Sequence, residues 1–170
     1  MKGGRLNLIP ILLPLVLMVA LAAITIVQQK SDRKRFALFN AAQAGDLEKV
    51  KRLVQQGSPI NLKVAGSFGW TPLIAAIYEN ETNVAHYLIG TGADVNIPDV
   101  DGKTPLMWAV VGGDEALPLV RELIAHGADL DAKDKDGTTV LSYARSDPPK
   151  SDVVKAIEAA LADRQRHSGQ

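Results

Sequence analysis

Cysteine is absent from the 170-residue chain. That excludes disulfides, thiolate catalysis and Cys-based zinc sites, and it leaves the redox compartment open. Histidine occurs three times and aromatics make up 5% of the residues. His86 falls on the outer side of an expected helix, His126 precedes Gly127 at a helix end where an imidazolium suits the dipole, and His167 stands in the tail. No serine or carboxylate is placed to complete a triad with any of them. The inventory therefore argues against an enzyme and implies no cofactor, no metal and no small-molecule substrate. Net charge is also missing overall, with 19 basic and 19 acidic residues, but it is unevenly spread. Residues 1–35 carry Lys2, Arg5, Lys30, Arg33, Lys34 and Arg35 against Asp32, a balance of +5, and the remainder carries 13 basic and 18 acidic residues, or −5. An acidic main domain is a poor match to nucleic acid, where phosphate contacts dominate affinity. What is plentiful is apolar surface: 46% of the residues, enough for a packed core, in a length that suits one domain plus an appendage.

Two polar motifs invite chemistry and do not sustain it. The run from Asp131 to Gly137 suggests a calcium loop, which wants oxygen ligands at its first, third and fifth positions, glycine at the sixth and glutamate at the twelfth. With Gly137 at the sixth, Asp134 and Asp136 fit, but the first position is Ala132 and the twelfth Tyr143. A solvated loop tip is the better reading. Asn80-Glu81-Thr82 matches a glycosylation acceptor, a short and common pattern.

After a basic tail at residues 1–5, Leu6 to Val27 carry no charge, long enough for a bilayer-spanning helix. Pro10 and Pro14 sit near the start of this stretch, where a helix tolerates proline better than in its middle. A cleaved signal peptide is one reading, with Lys2 and Arg5 as the basic start and Ala20-Leu21-Ala22 as a small-x-small site. The apolar run continues through Ala23-Ile24-Thr25-Ile26-Val27, which favours an uncleaved transmembrane anchor. Charge counting across the linker 28–35 leans towards a cytoplasmic main domain, whereas the signal-like layout leans towards an extracytoplasmic, periplasmic one. The expectation is a single-pass membrane protein with its main domain exported.

Beyond the linker the chain repeats itself. Trp70-Thr71-Pro72-Leu73 recurs as Lys103-Thr104-Pro105-Leu106 and, more weakly, as Thr138-Thr139-Val140-Leu141, at spacings of 33 and 35 residues. Gly92-Ala93-Asp94-Val95-Asn96 recurs as Gly127-Ala128-Asp129-Leu130-Asp131, with a degenerate copy at Gly57-Ser58-Pro59-Ile60-Asn61. Periods of this length mark stacked supersecondary units. The threonines can close a turn through their hydroxyls, and the prolines open helices at the first position. Ala41-Ala42 and Ala75-Ala76 permit close helix approach, Gly45, Asn80 and Gly113 suit a turn with positive φ, and Gly57, Gly92 and Gly127 suit helix ends. Val50 with Leu53, Val84 with Leu88 and Val120 with Leu123 form the buried faces of second helices.

These motifs resemble the ankyrin repeat family over roughly Phe36 to Leu161, and their joint occurrence at one period makes the match specific. The resemblance implies an all-α solenoid of about four helix-turn-helix repeats, at about 33–66, 67–99, 100–133 and 134–166, joined by β-hairpin connections. The ankyrin domain then spans 36–166, with a tail at 167–170. The first repeat, with Phe36-Ala37-Leu38 for Thr-Pro-Leu, and the last, with Pro148-Pro149, are atypical as end caps are.

The resemblance also implies a protein partner bound on a concave face. On that face it places Phe68, Trp70, Tyr78 and Glu79 from repeat two, Val100, Asp101, Lys103 and Val111 from repeat three, and Lys135 and Thr138 from repeat four. Ser67, Gly112, Asp136, Ser146 and Asp147 fall at equivalent positions. Phe68, Trp70 and Tyr78 gather in one repeat beside Val100 and Val111, in the manner of a binding hot spot; the alternative is that Phe68 folds back over the longer hairpin and Trp70 packs on its neighbour. The loop there, with Val64-Ala65-Gly66, is two residues longer than its counterparts. Trp108 is expected between repeats, as core. The expected role is that of a small anchored or exported protein of bacterial type, an accessory or scaffold factor that binds and protects or regulates a partner. The alternative is an immunity or inhibitor protein blocking a toxin or hydrolase.

Overall fold

The structure, a computed structural model, describes residues 18, 19, 21, 22, 36–64, 66, 68–146 and 151–168. The chain divides into two compact units, Met1–Arg35 and Phe36–Gln170. The second is a stack of helix pairs: α1 (Ala37–Gln43) with α2 (Leu47–Gln55), α3 (Pro72–Tyr78) with α4 (Thr82–Gly90), α5 (Pro105–Val111) with α6 (Leu117–Ala125), and α7 (Val140–Arg145) with α8 (Ser151–Ser168). A short 3₁₀ turn, Asp114–Ala116, leads into α6.

The threonines start the first helices as expected. Thr71 and Thr104 are extended, and their hydroxyls accept from the N–H groups of Ile74 at 3.2 Å and Met107 at 3.4 Å, with Pro72 and Pro105 next in line. Such caps contribute on the order of 1 kcal/mol each. Thr139 repeats the bond to Ser142, whereas Phe36, at the head of α1, offers no side-chain cap. Each first helix is only seven residues or fewer, too short to persist alone, so packing holds it. Ala41, Ala42, Ala75, Ala76 and Ala109 are buried where first helices touch, and Val50, Val84, Leu88, Val120 and Leu123 are buried on the second helices.

The connections are thinner than β-hairpins. Among the described residues they hold isolated bridges, Val64 with Trp70 and Lys133 with Thr139, and no named strand. The reason is that loop aspartates take N–H groups a strand ladder would use, as Asp99 does from Asp101 and Lys103 and Asp134 from Asp136 and Thr138, while a smaller set of bonds runs between repeats. The Val100 N–H donates to the Phe68 carbonyl at 2.9 Å, and the Lys135 N–H to the Asp101 carbonyl at 2.8 Å. Further along, Asn61 Oδ1 accepts from the Asp94 N–H at 2.9 Å, and Asn96 Oδ1 from the Asp129 N–H at 2.8 Å. The last repeat is pinned differently: Asp114 Oδ1 accepts from the N–H groups of Asp152 at 3.3 Å and Val153 at 3.4 Å, capping α8 from the preceding repeat.

One expectation is overturned. Among the described residues no helix is long and apolar enough to cross a membrane, so the single-pass membrane location is not supported. The longest described helix, α8, spans 18 residues and carries Asp152, Lys155, Glu158, Asp163, Arg164 and Arg166, far too much charge for hydrocarbon. Of the expected span 6–27, only Met18, Val19, Leu21 and Ala22 are described, and the tail 1–5 and linker 28–35 lie outside the described residues.

Close packing between connections makes a specific demand at Gly102. Its φ is +82°, and a Cβ there would lie 3.1 Å from both Asp134 Cα and the Lys135 nitrogen. Gly127 shares the conformation, with φ +83°, but a Cβ there would meet nothing within 4 Å. Both alanine variants bear the left-handed penalty of about 1–2 kcal/mol. Gly102→Ala must also push the next connection away, and Gly102→Val more so. In urea unfolding, Gly102→Ala is expected to lose at least about 1 kcal/mol more than Gly127→Ala, as overpacking against fixed backbone implies. Equal losses would show that the connections are not in register.

Candidate functional site

The geometry of the concave face follows from a repeated loop-to-helix bond. Asp99 stands five residues before Thr104 and Trp108 four after it; Asp134 and Tyr143 stand likewise around Thr139. Asp99 Oδ1 accepts from the N–H groups of Asp101 at 2.8 Å and Lys103 at 2.9 Å, and Oδ2 accepts from the Trp108 indole N–H at 3.0 Å. Asp134 does the same with Asp136 at 3.0 Å, Thr138 at 2.8 Å and the Tyr143 hydroxyl at 2.6 Å. Each buried carboxylate thus shapes its own loop and fastens an aromatic ring of the following helix. This also accounts for the acidic run that resembles part of a calcium loop: the Asp134 oxygens serve the loop itself.

The Tyr143 hydroxyl is the main cause holding the Asp134 carboxyl below the usual carboxylate range, helped by the N–H groups of Thr138 and Asp136. Burial, and then the Asp134 bond, push the Tyr143 hydroxyl up to about 12.

Repeat two replaces this polar pair with an apolar one. The Val64 N–H donates to the Trp70 carbonyl at 2.9 Å, the place taken by Asp99 with Lys103 and by Asp134 with Thr138 in the next repeats. The intervening loop is longer by two residues, as expected. Ala75 stands where those repeats have Trp108 and Tyr143. Its small side chain leaves space filled by Trp70, which forms a second core cluster with Phe39, Val64, Ile74 and Ala75, against which Trp108 packs.

Trp70, expected at an exposed position, is therefore only 7% exposed, and this corrects its reading as a surface anchor. Its buried indole N–H has no acceptor among the described residues. Tyr78 lies over it, ring centroids 4.5 Å apart, and meets Trp108 edge-on at 5.4 Å; Trp108 in turn meets Trp70 at 5.6 Å. Phe68 joins at 5.9 Å from Trp70. Phe68 holds φ at +53°, unusual for a bulky residue, and so begins the turn that Gly69 completes.

Phe68 (67%), Tyr78 (53%), Val100 (45%) and Val111 (53%) are the exposed large hydrophobics of the described repeat unit. All four belong to the expected concave set. Phe68, Trp70, Tyr78, Asp101 and Lys103 line one cleft of about 240 Å³, joined by Asp99 and Trp108. Tyr78 and Val111 line a neighbouring cleft of about 210 Å³ with Trp108 and Glu115. Glu79 is exposed and accepts from Gln43 Nε2 at 3.1 Å. Val100, Lys135 and Thr138 line neither cleft; Lys135 is exposed and Thr138 half-buried. Gly112 and Ser146 are exposed, while Ser67 and Asp147 lie outside the described residues. The Lys103 ammonium sits 5.1 Å from the Trp108 ring centre and 5.8 Å from that of Tyr143, bridging two repeats.

The sequence reading passed over Asp99, Glu115 and Tyr143, and Trp108, expected as core, is half-buried between the two core clusters. The signal for the first pairs was present: an aspartate and an aromatic nine residues apart around the same threonine, twice. Away from this face, His86 pairs with Glu122 across α4 and α6, and His126 Nδ1 lies 2.9 Å from the Glu122 carbonyl at its helix end.

The family model for ankyrin repeats (3 copies) matches residues 3–99 and 92–157. The chain belongs to the ankyrin-repeat family. Ankyrin-repeat proteins are generally non-catalytic interaction modules, and this chain's repeats are such a module for protein–protein interaction. The human mitochondrial disaggregase is 35% identical over 85 residues, 48% of this chain and 12% of that protein. The human protein phosphatase 1 regulatory subunit 27 is 41% identical over 69 residues, 41% of this chain and 44% of that protein. The mouse fibronectin type 3 and ankyrin repeat domains 1 protein is 57% identical over 44 residues, 25% of this chain and 13% of that protein. The chain thus spans less than half the length of these relatives. They are animal proteins, and the bacterial type expected from the N-terminal segment finds no support among them.

The sign of pH dependence follows from the Asp134–Tyr143 bond. Asp134 is held down in the folded state, so its contribution is present above its unfolded value, about 3.9, and is lost as pH falls through the lowered folded value. Tyr143 is raised, so its contribution is present below its unfolded value, about 10, and is lost as pH rises towards about 12. Thermal melts across both limbs are expected to show a flatter alkaline loss in Tyr143→Phe and a flatter acid loss in Asp134→Asn. Parallel profiles for variants and parent would show that the bond carries no linkage.

Proposed function

We propose that this chain is an accessory factor whose repeat unit binds a partner protein through the concave face of repeats two and three and thereby holds, protects or regulates it. The observation that carries the reading is the gathering of Phe68, Tyr78, Val100 and Val111 on one face, exposed, while the other large apolar side chains of the described repeat unit are buried or half-buried. Exposed apolar groups cost solubility, and a patch of them on a rigid scaffold is the usual mark of a contact surface. Tyr78 and Phe68 offer large rings at little entropic cost, backed by buried Trp70 and half-buried Trp108. One relative is by its name a regulatory subunit of a phosphatase, which supports an accessory role over that of an inhibitor or immunity protein.

The burial of Trp70 decides which variants test this. Trp70→Ala empties a core position and is expected to cost about 3–5 kcal/mol of stability, which confounds any binding result. Tyr78→Ala with Val111→Ser changes exposed positions instead. The tagged full chain, purified from its native cells after cross-linking, should retain one dominant partner. The double variant should keep its helical signal while capture falls at least about tenfold, the scale of lost hot-spot anchors. Undiminished capture by a folded double variant would sink this reading of the face.

A further inference from the structure

The two clefts beside Tyr78 and Trp108 differ in one respect that bears on the partner. The cleft on the Phe68 side holds carboxylates, Asp99 and Asp101, and already has its own cation, Lys103, seated on the Trp108 ring. The cleft on the Val111 side has apolar walls in Ile77, Tyr78, Trp108 and Val111, a carboxylate in Glu115, and no lysine or arginine among its lining residues. Glu115 is exposed on the 3₁₀ turn, and Glu79 is exposed next to Tyr78. The connections beside the clefts carry both signs, with Asp101 and Asp136 exposed alongside Lys63, Lys133 and Lys135, so the acidic character is local to Glu79 and Glu115 around Tyr78. The repeat unit as a whole carries 13 basic and 18 acidic residues.

We infer that the face takes a basic-apolar segment of the partner: a lysine or arginine in the Tyr78–Val111–Glu115 cleft, and a large apolar side chain of the same segment in the Phe68–Trp108 cleft. This rests on the reading of the face as a partner site and adds the chemistry of the occupant. A long basic side chain suits the first cleft because its methylene stem covers the apolar walls while its head reaches the carboxylate. The half-exposed Tyr78 ring adds a cation–π contact that the Trp108 ring, already faced by Lys103, is less able to offer. An acidic residue would meet Glu115 with nothing in that cleft to neutralise it. The second cleft, walled by Phe68, Tyr78 and Trp108, suits an apolar side chain, because Lys103 keeps a second cation away. Charge in these positions sets which partner is rejected as much as which is held.

The test is selection of a random twelve-residue peptide library, displayed on phage, against the full chain. Synthetic copies of the enriched peptides are then titrated against the parent, Glu115→Lys, Tyr78→Ala and Val111→Ser, each checked for helical signal. Enriched peptides should carry a lysine or arginine within a few positions of a large apolar residue. Their binding should weaken at least about tenfold in Glu115→Lys, as a reversed charge at a desolvated contact implies, and should weaken less at high salt than at low salt in that variant. Peptides lacking basic residues, or indifference to Glu115→Lys, would overturn the inference, as would a selection that enriches nothing. Acidic or uncharged peptides that still lose binding in Tyr78→Ala and Val111→Ser would leave the face as a partner site and remove only its basic preference. Peptides indifferent to all three variants would remove both.

Discussion

Register between repeats is what the rest of the structure depends on. It is carried by hydrogen bonds that leave one connection for the next, from Val100 to Phe68, from Lys135 to Asp101, and through the side chains of Asn61 and Asn96. Short helices of this length hold no fixed geometry by themselves. Once the connections are locked, the alanines of the first helices come together and the second helices close behind them. Gly102 marks how near the connections approach, since a single added carbon would strike the neighbouring backbone. The last repeat departs from the pattern where it must. Asp131 takes the place of Asn61 and Asn96 and pairs with Arg164 of the terminal helix instead.

On that frame the concave face is built from one exchange. Repeats three and four use an aspartate to fasten a ring, Trp108 or Tyr143, with the Lys103 ammonium between the rings. Repeat two has Val64 and Ala75 in those places, and the space fills with Trp70. Polarity therefore changes along the face: apolar and aromatic at Phe68 and Tyr78, charged and hydrogen-bonded at Lys103, Asp134 and Tyr143. An unbuffered aromatic surface beside a fixed polar network gives a partner both an apolar anchor point and a means of orientation.

The fold was legible in the sequence because its signals are local. Threonine, proline and glycine act within a turn of where they stand, and the capping bonds of Thr71, Thr104 and Thr139 fall where the motif implies. The repeat register fixes where the residues of the expected concave set stand along the chain, but not how far each is exposed. Whether Trp70 faces water depends on Ala75 and on Phe39 and Trp108 from neighbouring repeats. Asp114 capping the helix that starts at Ser151, through the Asp152 N–H 38 residues on, has no local signature at all. The membrane location was drawn from hydropathy in a segment almost wholly outside the described residues, and no described helix supports it.

The central claim is that the face carrying Phe68, Tyr78 and Val111 is where a partner sits, held in shape by the bonds between connections. Hydrogen–deuterium exchange of the full chain, with and without its captured partner, tests this most directly. The account predicts that the partner slows exchange over residues 68–80 and 100–112 and leaves the second helices, Thr82–Gly90 and Leu117–Ala125, unchanged. Protection confined to those second helices, with the aromatic face exchanging as before, would contradict it.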